Sequence, residues 1–249
     1  MAPFHRVSLL LQTQDATIKL VGKQYKSVID VFKRVPMEEG SRAFWRGGVP
    51  MLLKSIIYDD IVSPTEYFNS LGFVLAYPLE LARTRLAADV GKGTREKQFT
   101  GLLDCFGKIY KAEGIQGIYR GFGASIMGII VYKSILFVGR YMYTIKDLPS
   151  PETNSRIFNI IAIQHRLFQL LLTSGFLLYY PFDTVSRRLM MQSGRKDVLY
   201  TGTVDCFKKI AQNEGLKGFY KGCLIPFFGL WTVNVLFPNM MFFSLKQIV

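Results

Sequence analysis

The residues placed to do chemistry in this chain are charges in apolar company. Two acids each follow a proline by two positions: Glu80 in Tyr77-Pro-Leu-Glu and Asp183 in Tyr180-Pro-Phe-Asp. Arg83 answers the first acid three residues on. Two lysines stand in apolar stretches, Lys54 and Lys133, and Lys133 is the single charge between Gly121 and Gly139. A cation so placed either snorkels to a polar boundary or faces a polar cavity, where it marks a binding site. Covalent and metal chemistry find no support. The two histidines, His5 and His165, are too few and too scattered for a metal site. No glycine-rich phosphate loop is present. Cys105 and Cys206 read as small buried apolar residues. No catalytic residue, cofactor or metal is expected, and the protein does not read as an enzyme.

The elements that must position these charges show in the hydropathy pattern. The 249 residues carry a formal net charge of +13, yet 49% are hydrophobic and 20% charged. That excludes a disordered basic tail, and three cysteines exclude a disulfide-stapled secreted domain. Charge and apolar residues are segregated. Gly222–Leu245 is a run of 24 uncharged residues, and Leu167–Phe182 and Tyr67–Leu79 are uncharged too. The longest run suffices to cross a hydrocarbon core of roughly 30 Å at about 1.5 Å per residue. The pattern predicts an all-α, multi-pass membrane protein. Three basic loops (Gln12–Gly47, Arg83–Gly121 and Arg187–Gly222) together with Arg6 hold 24 of the 31 Lys/Arg and 11 of the 18 acids, so they carry the whole net charge. The excess is therefore a one-sided loop charge and not a nucleic-acid footprint.

A repeat organises the segments. Phe99-Thr-Gly-Leu-Leu-Asp-Cys-Phe106 recurs 101 residues later as Tyr200-Thr-Gly-Thr-Val-Asp-Cys-Phe207, and Tyr119-Arg-Gly121 recurs as Tyr220-Lys-Gly222. A fainter copy runs through Tyr25, Asp30, Phe32, Glu39-Gly40 and Trp45-Arg-Gly47. Leading aromatic and Glu-Gly glycine are 15 residues apart in all three copies. Each unit reads as an apolar helix kinked or ended by proline (Pro3, Pro78, Pro181), a basic segment, a short amphipathic helix and a second apolar helix.

These residues resemble the mitochondrial carriers, and within them the ADP/ATP carriers. The likeness lies in the repeated proline–acid motif and in Tyr77-Pro-Leu-Glu-Leu-Ala-Arg-Thr-Arg-Leu-Ala-Ala-Asp-Val-Gly-Lys-Gly93, Tyr180-Pro-Phe-Asp-Thr-Val-Ser-Arg-Arg-Leu-Met-Met-Gln-Ser-Gly-Arg-Lys196, Gly128-Ile-Ile-Val-Tyr132 and Val7–Gln12. The resemblance implies a six-helix carrier barrel of three repeats, with three short matrix helices, in the mitochondrial inner membrane. It implies exchange of ADP and ATP by alternating access, in a monomer contacting cardiolipin and other inner-membrane lipid. Residues 1–62 would be a truncated first repeat, 63–150 a second with a shortened first helix, and 151–249 the third.

Site residues follow from the same resemblance. Lys54 takes the place of a cavity arginine, Gly128, Ile129 and Tyr132 match an adenine platform, and Lys133 follows it where the family has arginine. The six-residue arginine–methionine signature reads Ser186-Arg-Arg-Leu-Met-Met191, keeping Arg187, Arg188, Met190 and Met191. Backbone N–H groups at Gly47, Gly101, Gly121, Gly202 and Gly222 would hold lipid phosphate. Glu80, Arg83 and Asp183 belong to a matrix gate in which each motif's acid meets a neighbouring motif's base. Here His5 and Ser8 fill the first motif's two positions and Ser186 the third motif's base. The expected pairs become His5 with Arg83, Glu80 with Ser186, and Ser8 with Asp183, each lacking a partner. Arg187 is a candidate to serve Glu80, and Arg6 to serve Asp183.

Two further departures are expected. Gly47 and Pro78 are 31 residues apart, against 60 between Gly121 and Pro181, so two full spans do not fit in the first interval. Almost nothing precedes Pro3, which implies an absent half-helix there. These gaps read as a misassembled gene model or a decayed copy. A carrier-like protein that no longer transports, or one serving another anionic metabolite, is the alternative function.

Overall fold

In the computed structural model, residues 2–16, 24–56, 66–89, 98–144, 154–195 and 198–229 are described. All regular structure among them is helical. The helices are α1 (Ala2–Thr13), α2 (Val28–Glu39), α3 (Gly48–Ile56), α4 (Glu66–Ala88), α5 (Leu102–Ile118), α6 (Phe122–Thr144), α7 (Asn154–Met191), α8 (Thr203–Glu214) and the single turn α9 (Leu216–Phe219). The longest uncharged run lies mostly outside the described residues. Within α6, Phe122–Gly139 is long and apolar enough to cross a membrane, with mean hydropathy 1.8 and little of it buried.

The amphipathic helices α2, α5 and α8 form for the same local reasons. An aspartate in the first turn accepts a backbone N–H from just upstream: Asp30 from Lys26, Asp104 from Thr100 and Asp205 from Thr201, each at 3.0 Å. The bond resembles the return half of a capping box but reaches one residue further, to the N–H before the N-cap. Each helix then buries one stripe, Val31 with Val35, Cys105 with Ile109, and Cys206 with Ile210. The stripes enter three apolar clusters that also take residues of α1, α4 and α7. Burial raises the Cys105 thiol to about 11 and the Cys206 thiol to about 12, as packed, unreactive thiols require. α2 and α8 stop at their Glu-Gly glycines and α5 kinks at its own: Gly40, Gly215 and Gly114 take φ of 84°, 67° and 66° with ψ of 162°, −166° and −152°. That region is essentially reserved for glycine.

Pro78 and Pro181 lie inside α4 and α7, which run on through them. Each proline deprives the carbonyl four residues back of its N–H donor. The orphans, Val74 and Leu177, are met by the hydroxyls of Tyr119 (3.3 Å) and Tyr220 (3.2 Å). Tyr77 and Tyr180, preceding the prolines, in turn donate to the carbonyls of Arg120 (2.9 Å) and Lys221 (3.1 Å). The Tyr-Pro and Tyr-base-Gly motifs thus bond to one another.

The interval expected to be short, between Gly47 and Pro78, is described only in part, since residues 57–65 lie outside the described residues. α3 has nine residues and α4 has 23, whereas α7 has 38.

Candidate functional site

Three glycines close the units into a ring. Gly47, Gly121 and Gly222 have φ of 84°, 86° and 78°. A Cβ on each would lie 3.1 Å from the Arg83 carbonyl oxygen, 2.7 Å from that of Ser186 and 2.7 Å from that of Ser8. The first unit thus touches α4, the second touches α7 and the third touches α1, always at the base position of the neighbouring proline motif. Only glycine fits a left-handed backbone in such contact. Gly101 and Gly202 differ: both are extended residues preceding helices, and a Cβ there meets nothing.

The charges at this ring pair differently from the sequence expectation. Glu80 does not face Ser186. Its Oε2 lies 2.8 Å from Lys54 Nζ of α3 and 3.4 Å from Arg83 Nη1 of its own helix. Ser186 turns to the Gly121 carbonyl (3.0 Å) and the Ser125 hydroxyl (2.5 Å). Ser8 does not reach Asp183 and donates to the Gly222 carbonyl at 3.0 Å. Asp183 instead has Arg187 Nε at 2.8 Å, Gln12 Nε2 at 3.1 Å and the Tyr179 hydroxyl at 3.2 Å. Arg187 therefore makes its ion pair with Asp183, and its charge also acts on Glu80. Arg6 serves neither: it pairs with Glu39 at 2.9 Å and donates to the carbonyls of Ala87 and Ala43. A four-carbon lysine stem reaches across two packed helices where a serine cannot. His5 and Arg83 line one cleft with Leu9, Gly47 and Met51.

Outside the ring, Arg188 is fully buried and binds Glu214 through both terminal nitrogens, with Asp15 at 3.3 Å. Lys221 reaches the same two acids, Asp15 at 2.7 Å and Glu214 at 2.8 Å. Two cations and two anions thus tie the third unit to the end of α1. Burial opposes ionisation of Glu214, but hydrogen bonds from Arg188 and Lys221 outweigh it and hold the carboxyl at about 2. Lys221 is correspondingly raised.

The repeated units and their ring have a counterpart among known proteins. Residues 1–62, 70–146 and 173–244 each match the mitochondrial carrier protein family. The chain belongs to the mitochondrial carrier family. It is 43% identical over 256 residues to ADP/ATP translocase 2 of Bos taurus and 40% identical to ADP/ATP translocase 3 of Homo sapiens, covering 89% of this chain and 83% of each relative. ADP/ATP translocase 4 of Bos taurus is 38% identical over 253 residues, with 76% of that protein covered. Membership makes this carrier a multi-pass protein of the mitochondrial inner membrane and a transporter, not an enzyme.

Within the carrier the remaining sequence-predicted residues fall into two groups. Gly128 lets α6 approach α7: a Cβ would lie 2.9 Å from Phe182 Cβ and 3.0 Å from the Tyr179 ring. Ser125, Ile129 and Tyr132 share one face of α6 by their spacing. Tyr132 and Tyr179 have ring centroids 6.0 Å apart. Lys133, next on the helix, is exposed. In the signature, Arg187 and Arg188 make the ion pairs above, while Met190 and Met191 are buried in apolar clusters. Sequence reasoning missed Tyr179 and Gln12 as partners of Asp183. The signal was present: Tyr179 lies one helical turn before Asp183, and Gln12 one turn after Ser8.

Proposed function

We propose that this carrier exchanges adenine nucleotides, ADP against ATP, by alternating access. The observation that carries the reading is the Ser125–Ile129–Tyr132 face of α6, which runs from the ring at Ser186 to an aromatic contact with Tyr179, itself bonded to gate residue Asp183. The names of the relatives, ADP/ATP translocases, support an adenine nucleotide as the substrate of that face. The adenine ring packs on Tyr132 beside Ile129, Gly128 holding α6 close to α7 at that platform, and Lys54 and Lys133 supply positive charge to the phosphates. Lysine acts there as a point charge, without the two-pronged fit of arginine. No bond is made or broken; binding energy is used to shift the balance between gate states.

Glu80, Arg83 and Asp183 with Arg187 form the matrix-side gate in this proposal. The repeats divide at 1–62, 63–150 and 151–249, and the carrier works as a monomer without nucleic-acid partners. Cardiolipin phosphates sit at the glycine-led helix starts Gly47, Gly101, Gly121, Gly202 and Gly222, near the basic loops. A second reading, a carrier that binds nucleotide without moving it, draws on the 31-residue spacing of Gly47 and Pro78 and on serine at two base positions. Liposomes containing cardiolipin and loaded with ADP separate the two. Uptake of labelled ATP above ADP-free vesicles supports exchange; ADP-dependent thermal stabilisation without uptake supports the second reading.

A further inference from the structure

His5 takes, in the first unit, the place that carboxylates hold in the other two. It follows Pro3 by two positions, as Glu80 follows Pro78 and Asp183 follows Pro181. An imidazole brings no negative charge in either protonation state. The surrounding ion pairs are left one acid short. Arg6 meets Glu39 at 2.9 Å, Arg46 meets Asp89 at 2.9 Å and Arg187 meets Asp183 at 2.8 Å, but Lys54 and Arg83 share Glu80. Five cations thus face four carboxylates among the described residues, and the Arg187 charge acts on Glu80 as well. Arg83 has the longer hold on Glu80, 3.4 Å through Nη1. Its Nη2 is buried without a hydrogen-bond partner among the described residues, and the residue as a whole is 8% exposed. A buried guanidinium nitrogen left unpaired is costly. Arg83 and His5 line one cleft with Arg6, Arg46 and Gly47, and that cleft has room for about one water-sized body.

We propose that this cleft binds one small monovalent anion, of the size of chloride or formate, at Arg83 Nη2 beside His5. The anion supplies from solution the charge that His5 does not, and so joins α1 to α4. A guanidinium takes a halide or a carboxylate through charge-assisted hydrogen bonds, which burial strengthens. One negative charge balances the single excess cation. The room available excludes a nucleotide or a whole lipid headgroup. Binding here is independent of what the carrier transports.

The test is thermal unfolding of the purified full chain in detergent at fixed ionic strength, with chloride or formate replacing gluconate, an anion too large for the cleft. In wild type each tenfold of chloride or formate above half-saturation should raise Tm by about 3–6 °C. His5→Glu carries the missing charge within the chain, so it should melt above wild type in gluconate and gain little from either anion. His5→Gln, uncharged, should keep the wild-type response. Quadrupolar broadening of the chloride NMR line reads binding without unfolding and covers a variant that does not fold: wild type should broaden the line and formate should reverse it. Arg83→Gln should abolish the broadening. A wild type no more responsive than His5→Glu, or broadening that formate does not reverse or that Arg83→Gln retains, overturns the proposal. Both readouts are repeated with cardiolipin added. A response that survives the lipid supports the small-anion site, and one that the lipid abolishes assigns the cleft to a headgroup phosphate and overturns it.

Discussion

Replacing Gly222 with alanine isolates the contact that closes the ring. At φ 78° an alanine sits in the left-handed region, which costs roughly 1–2 kcal/mol. Its Cβ would also fall 2.7 Å from the Ser8 carbonyl oxygen and 3.4 Å from Leu11 Cβ. The near atom is backbone, so α1 must move as a body, and Ser8 loses alignment with the Gly222 carbonyl it now reaches at 3.0 Å. Strain plus one hydrogen bond brings the total to about 2–4 kcal/mol. Gly107 is the control. It is exposed inside α5, and a Cβ there meets nothing, so Gly107→Ala should stabilise by about 0.5–1 kcal/mol through helix propensity. Thermal unfolding in detergent reads both, and a chain of this size moves by roughly 2–4 °C per kcal/mol. Gly222→Ala should melt about 5–15 °C lower, and Gly107→Ala no lower than wild type. A Gly222→Ala protein melting with wild type would refute the close approach between the third unit and α1.

Other perturbations follow from the same geometry. Arg188→Met leaves Glu214 and Asp15 sharing Lys221 alone, and should cost about 2–4 kcal/mol in melting experiments, since one partner of a buried charge network is removed. Glu214 is depressed from 4.5 to about 2 on folding, so its contribution is complete above pH 4.5 and is lost as pH falls toward 2. Melting temperature against pH should therefore drop less steeply below pH 4.5 in Glu214→Gln than in wild type. Tyr220→Phe orphans the Leu177 carbonyl beneath Pro181 and should lower stability by about 1 kcal/mol, with Tyr119→Phe behaving alike at Val74. Tyr132→Ala should weaken ADP binding by about tenfold or more, the scale of losing one base–aromatic stack, and should also lower melting without ligand, because its contact with Tyr179 is lost.

The repeat was legible because it is written in residue types that no other context demands so regularly. The aromatic-to-glycine ruler, the first-turn aspartates and the Glu-Gly stops each fix a backbone feature locally, and equivalent residues perform equivalent bonds in the structure. The glycines at 47, 121 and 222 were legible as helix starts, but their close approach was not, since it depends on which unit's backbone lies opposite. The prolines were legible as kinks, while the tyrosines that rescue the freed carbonyls become evident only once the helices are stacked.

The charge pairs were the least legible part. A motif rule placed Glu80 opposite Ser186 and left it without a cation. The structure supplies Lys54, because a long side chain on an adjacent helix can occupy what a short one vacates. Arg6 and Arg187 were assigned by charge need alone, and reach decided otherwise: Glu39 and Asp183 lie within 2.9 Å and 2.8 Å of them. Sequence spacing orders residues along a helix; which helix stands across from them is set by packing.

The most direct measurement is stoichiometric exchange across a sealed bilayer. With purified protein in cardiolipin liposomes preloaded with ADP, each labelled ATP entering should be matched by one ADP leaving, with no phosphate released and no uptake into vesicles lacking internal nucleotide. Uptake that proceeds without internal nucleotide, or ADP-loaded vesicles that take up no more than protein-free ones, would contradict the account.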